Sequence, residues 1–590
     1  MKNKIKYFSL LGLAGALVLG ISLTSCGNGR EVSKKIYGAN EGKVQEMGSI
    51  NLLFKENSTI PYISLSDGVK FLSDIRSINL NDKKYKFELK KDGNNYVISN
   101  ERGAKCTIDA VNQSVTYDDF DKLTGLIKEN ENPLSFFSIK DGYKPLKYES
   151  SNYVKGREVF ISLKDYPGLD IYEENGRAYL PLSVYNTLLL DIDSNISLAY
   201  NGTNVFLITS NSLSNEVFGV VMESDLGKKF REGAMSNTIS QEYIDYYYQS
   251  LCFDFDVQYG LKRKFKSFDE FIQSYKFKDQ IKSSNPKTVD NYTAIALSWL
   301  EDNHTALTEM SNLYGFRDNK IEVEKMSPFK NNFEEANEAF KKAKKQANIT
   351  NGISYKGDTV FVSFDEFSHI NEELFYLSTS VTKTDIEDIP GLDEDVSLTD
   401  TAILFNKLYK ELNSNEHKDI KNVVVDLTTN EGGAADGLLY SLSTLIGNVE
   451  VNLSNPLSGA LNKQVFKADI DANGTIDEND RSLSELGFNI YFLNSRYSFS
   501  SANAMPFLAK INNSKVVNLG AKTAGGPCAV RTCVTPIGSV ISSSGLHTIT
   551  RLVDGKYTDI DDGISPDFGL TEAQMIDRDY IVQYISKLKK

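Results

Sequence analysis

Val423-Val424-Val425-Asp426-Leu427-Thr428-Thr429-Asn430-Glu431-Gly432-Gly433 reads as a strand that runs into a glycine turn ahead of a helix. Two glycines let the backbone come close to a ligand with no side chain in the way, and N–H groups at a helix start can face developing negative charge. Outward from this stretch, Asp358 to Phe364, Asn422 to Leu427, Asn489 to Leu493 and Lys515 to Leu519 are short β-branched or aromatic runs between helical segments. That alternation predicts a layered α/β core over 351–590. From about 213 to 350 the chain reads as helical. Tyr292, Ile295, Ala296, Trp299 and Leu300 recur at helical spacing, ending at Asp302-Asn303-His304-Thr305, and a second amphipathic helix is expected from Asn332 to Gln346.

Some sixty residues after the glycines, Leu493-Asn494-Ser495-Arg496-Tyr497-Ser498-Phe499-Ser500-Ser501-Ala502-Asn503 joins a strand to a helix. Together the two stretches resemble the tail-specific protease family, which includes the tricorn core, whose turn reads Asp-Leu-Arg-x-Asn-x-Gly-Gly. Thr428 stands where the family has arginine. The resemblance implies Ser500 as nucleophile, with oxyanion donors from Gly432 or Gly433 and from Ser501. The bacterial processing branch takes its base from a lysine in Thr-x-Gly-Lys-Gly, but Lys522-Thr523-Ala524-Gly525-Gly526-Pro527 has glycine there. The tricorn-like branch uses a histidine after Leu-x-Asp-x-His-Ser/Thr, and Leu300-Glu301-Asp302-Asn303-His304-Thr305 matches, implying His304. Its acid lies in a Glu-Asn-Gly-Ile-x-Pro-Asp-like stretch; Asp559-Ile560-Asp561-Asp562-Gly563-Ile564-Ser565-Pro566-Asp567 corresponds, with Asp561 in the acid's place. The implied reaction is acyl transfer to serine followed by hydrolysis of a peptide or protein substrate. A catalytically inactive peptide-binding or adhesion lipoprotein that keeps the protease fold is the alternative.

Between those stretches, a segment at 466–481 carries Asp469, Asp471, Asn473, Thr475, Asp477 and Asp480 at positions 1, 3, 5, 7, 9 and 12 of a loop, with Gly474 at position 6. Thr475 would contribute its carbonyl. This is the spacing of an EF-hand or dockerin-type loop and predicts structural Ca2+. No organic cofactor is expected.

The chain has 590 residues, 41% hydrophobic and 24% charged, enough for several domains. A net charge of -14 argues against nucleic acid as a partner. Lys2, Lys4 and Lys6 precede an apolar run from about Phe8 to Leu23, and Leu23-Thr24-Ser25-Cys26 follows. These residues read as an export signal over 1–25 and resemble a lipobox, implying a lipid on Cys26, a tether over 26–48, and a cell-membrane location on the extracytoplasmic face. Residues 49–212 are strand-rich with Asp-Gly and Asn-Gly turns. Their segments Ile60-Pro61-Tyr62-Ile63-Ser64-Leu65 and Ala178-Tyr179-Leu180-Pro181-Leu182-Ser183 echo one another and resemble the small module of copper amine oxidase N-terminal domains. Cys528 and Cys533 are either bridged or two buried thiols. The expected whole is a multidomain α+β chain: β-rich modules, a helical domain, then an α/β protease core.

Overall fold

The computed structural model describes residues 29–588 apart from 41–42, 80–85, 125–143, 191–195, 210–211, 218–219, 234–237, 315–320, 381–399, 415–416 and 554–555. The signal segment and Cys26 lie outside the described residues.

The stretch that opened the reading is a central strand, Asn422–Asp426, buried along its whole length. It sits in a six-stranded sheet in the order Gly352–Lys356, Thr359–Ser363, Asn422–Asp426, Asn489–Asn494, Val517–Gly520 and Phe568–Gly569. The first pair is antiparallel and all later pairs are parallel. Helices Thr401–Asn413, Ala435–Ile446 and Ser501–Asn512 pack apolar residues such as Phe405, Leu439 and Met505 against Val423, Val425 and Phe492. Covering both faces of a parallel sheet is what the continuous Val-Val-Val run requires. Pro328–Gln346 and Arg578–Leu588 cover the other face through Phe340, Ile581 and Ile585. The Pro328–Gln346 helix therefore starts a turn earlier than the pattern predicted, at Pro328 behind the Ser327 cap.

A second sheet of this half runs Ala306–Glu309, Val540–Val553, Val449–Ser454, Leu461–Ala468 and Leu146–Val154, with Cys528–Val534 and Lys556–Asp559 also paired to the long strand Val540–Val553. Its last strand comes from the segment assigned by sequence to the N-terminal modules: Leu146–Val154 pairs antiparallel with Leu461–Ala468 along its length. Asp121 reinforces the join, accepting hydrogen bonds from Asn455 Nδ2 at 2.8 Å and Ser458 Oγ at 2.6 Å. The 49–212 region is thus not separate from the α/β half.

The expected tether over 26–48 is also corrected. Gly29–Asn40 and Lys43–Lys55 form a long antiparallel hairpin inside a seven-stranded N-terminal sheet, with Ile36, Met47 and Ile50 buried. The two echoing segments meet there, Leu180 opposite Ile63 and Pro181 opposite Tyr62, and each feeds a helix. A five-stranded antiparallel sheet from Phe87 to Ser162 completes the N-terminal half.

Cys528 and Cys533 are both free and buried. They lie five positions apart on one strand, a separation of roughly 16 Å at ~3.3 Å per residue, whereas a disulfide needs Cα atoms within about 7 Å. The bridged alternative is excluded.

Candidate active site

Ser500 closes the loop between Asn489–Asn494 and the helix Ser501–Asn512, at φ 54° and ψ -120°. A non-glycine residue there is strained and is held only by its surroundings. The surroundings are explicit. Ser500 N–H donates to Gly525 O at 2.9 Å, Phe499 N–H to Asn430 O at 3.2 Å, and the next turn closes on Ser500 O through Ala504 N–H at 2.9 Å. The Oγ caps none of the helix N–H groups and so is left for other chemistry.

The glycine turn lies directly against it. A Cβ on Gly432 would stand 2.6 Å from Ser500 Cβ, and one on Gly433 would stand 2.2 Å from Phe367 O; both glycines have positive φ. Sequence left the choice between their N–H groups open, and hydrogen bonding separates them. Gly432 N–H is taken by Asn430 Oδ1 at 2.9 Å. The N–H groups of exposed Gly433 and of Ser501 have no acceptor among the described residues. Ser501 Oγ donates to Gly433 O at 2.8 Å, tying the two loops together.

Thr428, in the position of the family's arginine, turns inward: its N–H and Oγ1 both donate to Asp426 Oδ1, at 3.1 and 2.6 Å. The cations come from elsewhere. Lys344 Nζ lies 3.3 Å and Arg578 Nη2 2.6 Å from Asp426 Oδ2. They hold the carboxyl well below the usual carboxylate range despite full burial. Lys344 also donates to Thr429 Oγ1 at 3.0 Å, so the turn is braced from the Pro328–Gln346 helix.

His304 follows the helix Pro286–Ser298 and a loop knotted by Asp302, which accepts from His304 N–H and Thr305 Oγ1, at 3.1 and 2.6 Å, and from Tyr259 Oη at 3.1 Å. The imidazole is buried and packs on the Phe499 ring with centroids 4.6 Å apart, next to the nucleophile candidate. Its Nδ1 lies 3.3 Å from Ser544 Oγ. Burial lowers its pKa below the ordinary histidine value, partly countered by the negative charges of Asp302 and Asp561.

Asp561 follows the strand Lys556–Asp559. Gly526 N–H donates to its Oδ1 at 3.3 Å, and Arg263 and Lys264 approach its Oδ2 at 2.9 and 3.7 Å. The backbone is interlocked, since a Cβ on Gly525 would strike Asp561 O at 2.0 Å and one on Gly526 the Phe499 ring at 2.5 Å. Among the described residues no hydrogen bond joins Asp561 to His304; its negative charge favours the protonated ring. Of the predicted residues Ser500, His304, Asp561, Gly432, Gly433 and Ser501, Gly432 has its N–H bonded to Asn430, and the others are linked through contacts with Phe499, Gly526 and the Gly433–Ser501 pair. Ser544, Lys344 and Arg578 went unread because no local sequence signal marks them.

The calcium-type loop follows Leu461–Ala468. Carboxylate oxygens of Asp469, Asp471 and Asp480 lie within 4.8 Å of one another. Gly474 at φ 90° makes the sharp turn, and Asn473 Oδ1 accepts from Thr475 N–H at 2.8 Å. Asp477 Oδ1 instead accepts from Asn479 N–H at 2.7 Å. Burial raises the pKa of Asp469 and of Asp480, helped by the charge of Asp480 on the first and of Asp471 on the second; the Tyr376 hydroxyl opposes the shift at Asp469, and backbone N–H groups oppose it at both.

Residues 390–570 match the sequence model described as Peptidase family S41. No curated protein matches the chain. Among solved structures, a lipoprotein from Streptococcus agalactiae is similar at 14% identity, covering 55% of this chain and 93% of its own, with a TM-score of 0.31. The photosystem II D1 C-terminal processing protease is similar at 15% identity over 38% of this chain and 46% of its own, TM-score 0.25. Mature CPAF is similar at 17% over 40% and 53%, TM-score 0.26. The chain thus spans about half the length of the last two. Strand, glycine turn and Ser500 junction all lie inside the matched segment, so it is over these residues that the chain is similar to Peptidase family S41, a serine peptidase family.

Proposed function

We propose that this chain is a membrane-anchored, extracytoplasmic serine endopeptidase working through Ser500 and His304. The observation that carries the reading is the strained Ser500, its Oγ uncommitted, with the Gly433 and Ser501 N–H groups lacking acceptors among the described residues and a buried imidazole packed on the adjoining Phe499 ring. The Oγ attacks the scissile carbonyl carbon as its proton passes to His304 Nε2. The Oγ–C bond forms and the carbonyl electrons move to oxygen, where Gly433 and Ser501 N–H groups stabilise them. Collapse breaks the C–N bond, His304 returns the proton to the leaving amine, and water, deprotonated by the same imidazole, releases the acyl group. The charge of Asp561 favours the imidazolium formed in each step. No Ser500–His304 hydrogen bond is present, which is common before substrate tightens such contacts.

Labelling of the purified full chain with a fluorophosphonate tests this. Wild type should label, and Ser500→Ala and His304→Ala should not. A folded, unlabelled wild type would instead support the inactive peptide-binding alternative.

Calcium in the Asp469–Asp480 loop is part of the same proposal. Three carboxylates gathered around a glycine turn fit a hard, oxygen-seeking cation. Asp469, Asp471, Asn473, Asp477, Asp480 and the Thr475 carbonyl would hold it, and it would neutralise the carboxylates' repulsion, a structural and not a catalytic role. Lipid attachment at Cys26 rests on the sequence. Among the described residues no helix is long and apolar enough to cross a membrane. The mass of the mature N-terminal peptide, with and without Cys26→Ser, tests the anchor.

A further inference from the structure

The same strand pairing that delivers His304 to the site places a second serine behind it. Ala306–Glu309 pairs antiparallel with Val540–Val553, Ala306 opposite Ser542. Continued two residues back, that register sets position 304 against 544. The match is made in bonds. Ser542 Oγ donates to His304 O at 2.8 Å, and Ser544 Oγ stands 3.3 Å from His304 Nδ1. Ser544 is fully buried, and its carbonyl is fixed by Gly260 N–H at 2.8 Å. His304 Nε2 has no hydrogen-bond partner among the described residues.

Resting on the Ser500/His304 reading above, we infer that Ser544 is the positioning residue of this site: its hydroxyl accepts the Nδ1–H of His304, which fixes the tautomer with a lone pair on Nε2, the nitrogen left to act as base. A carboxylate usually does this work in serine hydrolases, but here Asp561 is bonded to Gly526, Arg263 and Lys264 instead. A neutral imidazole has one N–H, and the wrong tautomer puts that N–H where the base must be. A hydroxyl oxygen can accept from a ring N–H, and it stays an acceptor when the ring becomes imidazolium. The charged and titratable groups around the ring are Asp302 on its own loop, held by Tyr259, Asp561 with Arg263 and Lys264 behind it, and the thiol of Cys528, which the charges of Asp302 and Asp561 also reach. Ser544→Ala leaves all of them in place.

Two measurements on the full chain test the inference. With only four histidines in the sequence, nitrogen-15 labelling of histidine and assignment by His304→Ala reads the tautomer in wild type directly. Nδ1 should be the protonated nitrogen at pH 8, and a protonated Nε2 overturns the inference whether or not any variant folds. The second is the rate of Ser500 labelling by fluorophosphonate against pH. Ser544→Ala should lower the plateau roughly 10- to 100-fold, part of the ~10²–10⁴ that a general base contributes, and move the midpoint to lower pH, because the imidazolium loses an acceptor. Ser544→Thr, which keeps a hydroxyl, should restore the wild-type midpoint. A merely structural role would reduce the labelled fraction with the midpoint unmoved, and that result overturns the inference. If His304→Ala labels as fast as wild type, the base assignment itself falls, an outcome the Ser544 variants cannot mimic.

Discussion

Replacing Lys344 by Met should unseat the glycine turn from a distance. Its ammonium and Asp426 are 6% and 1% exposed, 3.3 Å apart, and removing one partner of such a pair strands a buried charge. Breaking buried pairs costs about 3–5 kcal/mol. Arg578 stays 2.6 Å from the same carboxylate, which puts the expected loss at the low end, about 3 kcal/mol. For a domain of this size that corresponds to roughly 6–12 °C in melting temperature. Thr429 loses the Lys344 contact at the same time, so labelling of Ser500 should slow as well. The pairing partner is identified by the double variant with Asp426→Asn. Neutralising the carboxylate removes the reason for the cation, so the combined loss should fall short of the sum of the two single losses by at least about 1 kcal/mol. The pH dependence has a fixed sign. Because the folded Asp426 is held below its unfolded value, its contribution is complete above pH ~4 and is lost as pH falls further. Scanning calorimetry of the four proteins decides the matter. Melting of Lys344→Met within about 2 °C of wild type, or strictly additive losses, would refute the claim that this cation stands in for the arginine that Thr428 replaces.

Gly433→Ala should slow labelling of Ser500 by about 10²–10³-fold, the usual cost of one oxyanion donor, because a Cβ there meets Phe367 O at 2.2 Å and the N–H must swing away; a rate within threefold of wild type would point to a different donor. The labelling rate should rise with pH to a plateau, its midpoint below the ordinary histidine value of about 6.5, since burial lowers the His304 pKa and the neutral ring is the active form; a midpoint above 7 contradicts that sign. Calcium at about 100 times its Kd should stabilise the fold by about 2.7 kcal/mol, and Asp471→Asn with Asp480→Asn should abolish the calcium-dependent rise in melting temperature; an unshifted wild type argues against the ion.

The parts that could be read from sequence are those whose chemistry is local. The Val423–Asp426 strand and the paired glycines declare themselves within about ten residues, because hydrophobic run and turn are short-range properties, whereas picking Ser500 out of its serine-rich junction took the family resemblance. His304 needed the resemblance, since a lone histidine after a helix has no distinguishing chemistry. Ser544 was beyond reach: its meaning comes from an antiparallel register spanning 240 residues. Lys344 and Arg578 look like any helix cation until folding buries them. The hairpin from Gly29 misled because its few apolar residues, Ile36 and Met47 among them, are diluted by Lys34, Lys35, Glu31 and Glu46, which keep the exposed face wet while forming pairs such as Lys35–Glu46 at 2.8 Å.

The loan of Leu146–Val154 to the distant sheet sets a timetable for the chain's birth. Tyr153 finds its neighbour Asn462 only after some three hundred further residues have been made, and the strand that carries Ser544 comes later still. Arg578, which secures the glycine turn, stands almost at the end. A polypeptide emerging N-terminus first therefore carries an open strand edge through most of its synthesis, a slow and aggregation-exposed arrangement. The surroundings of Ser500 are therefore completed only after the strand that carries Ser544 and the helix that carries Arg578 have both been made.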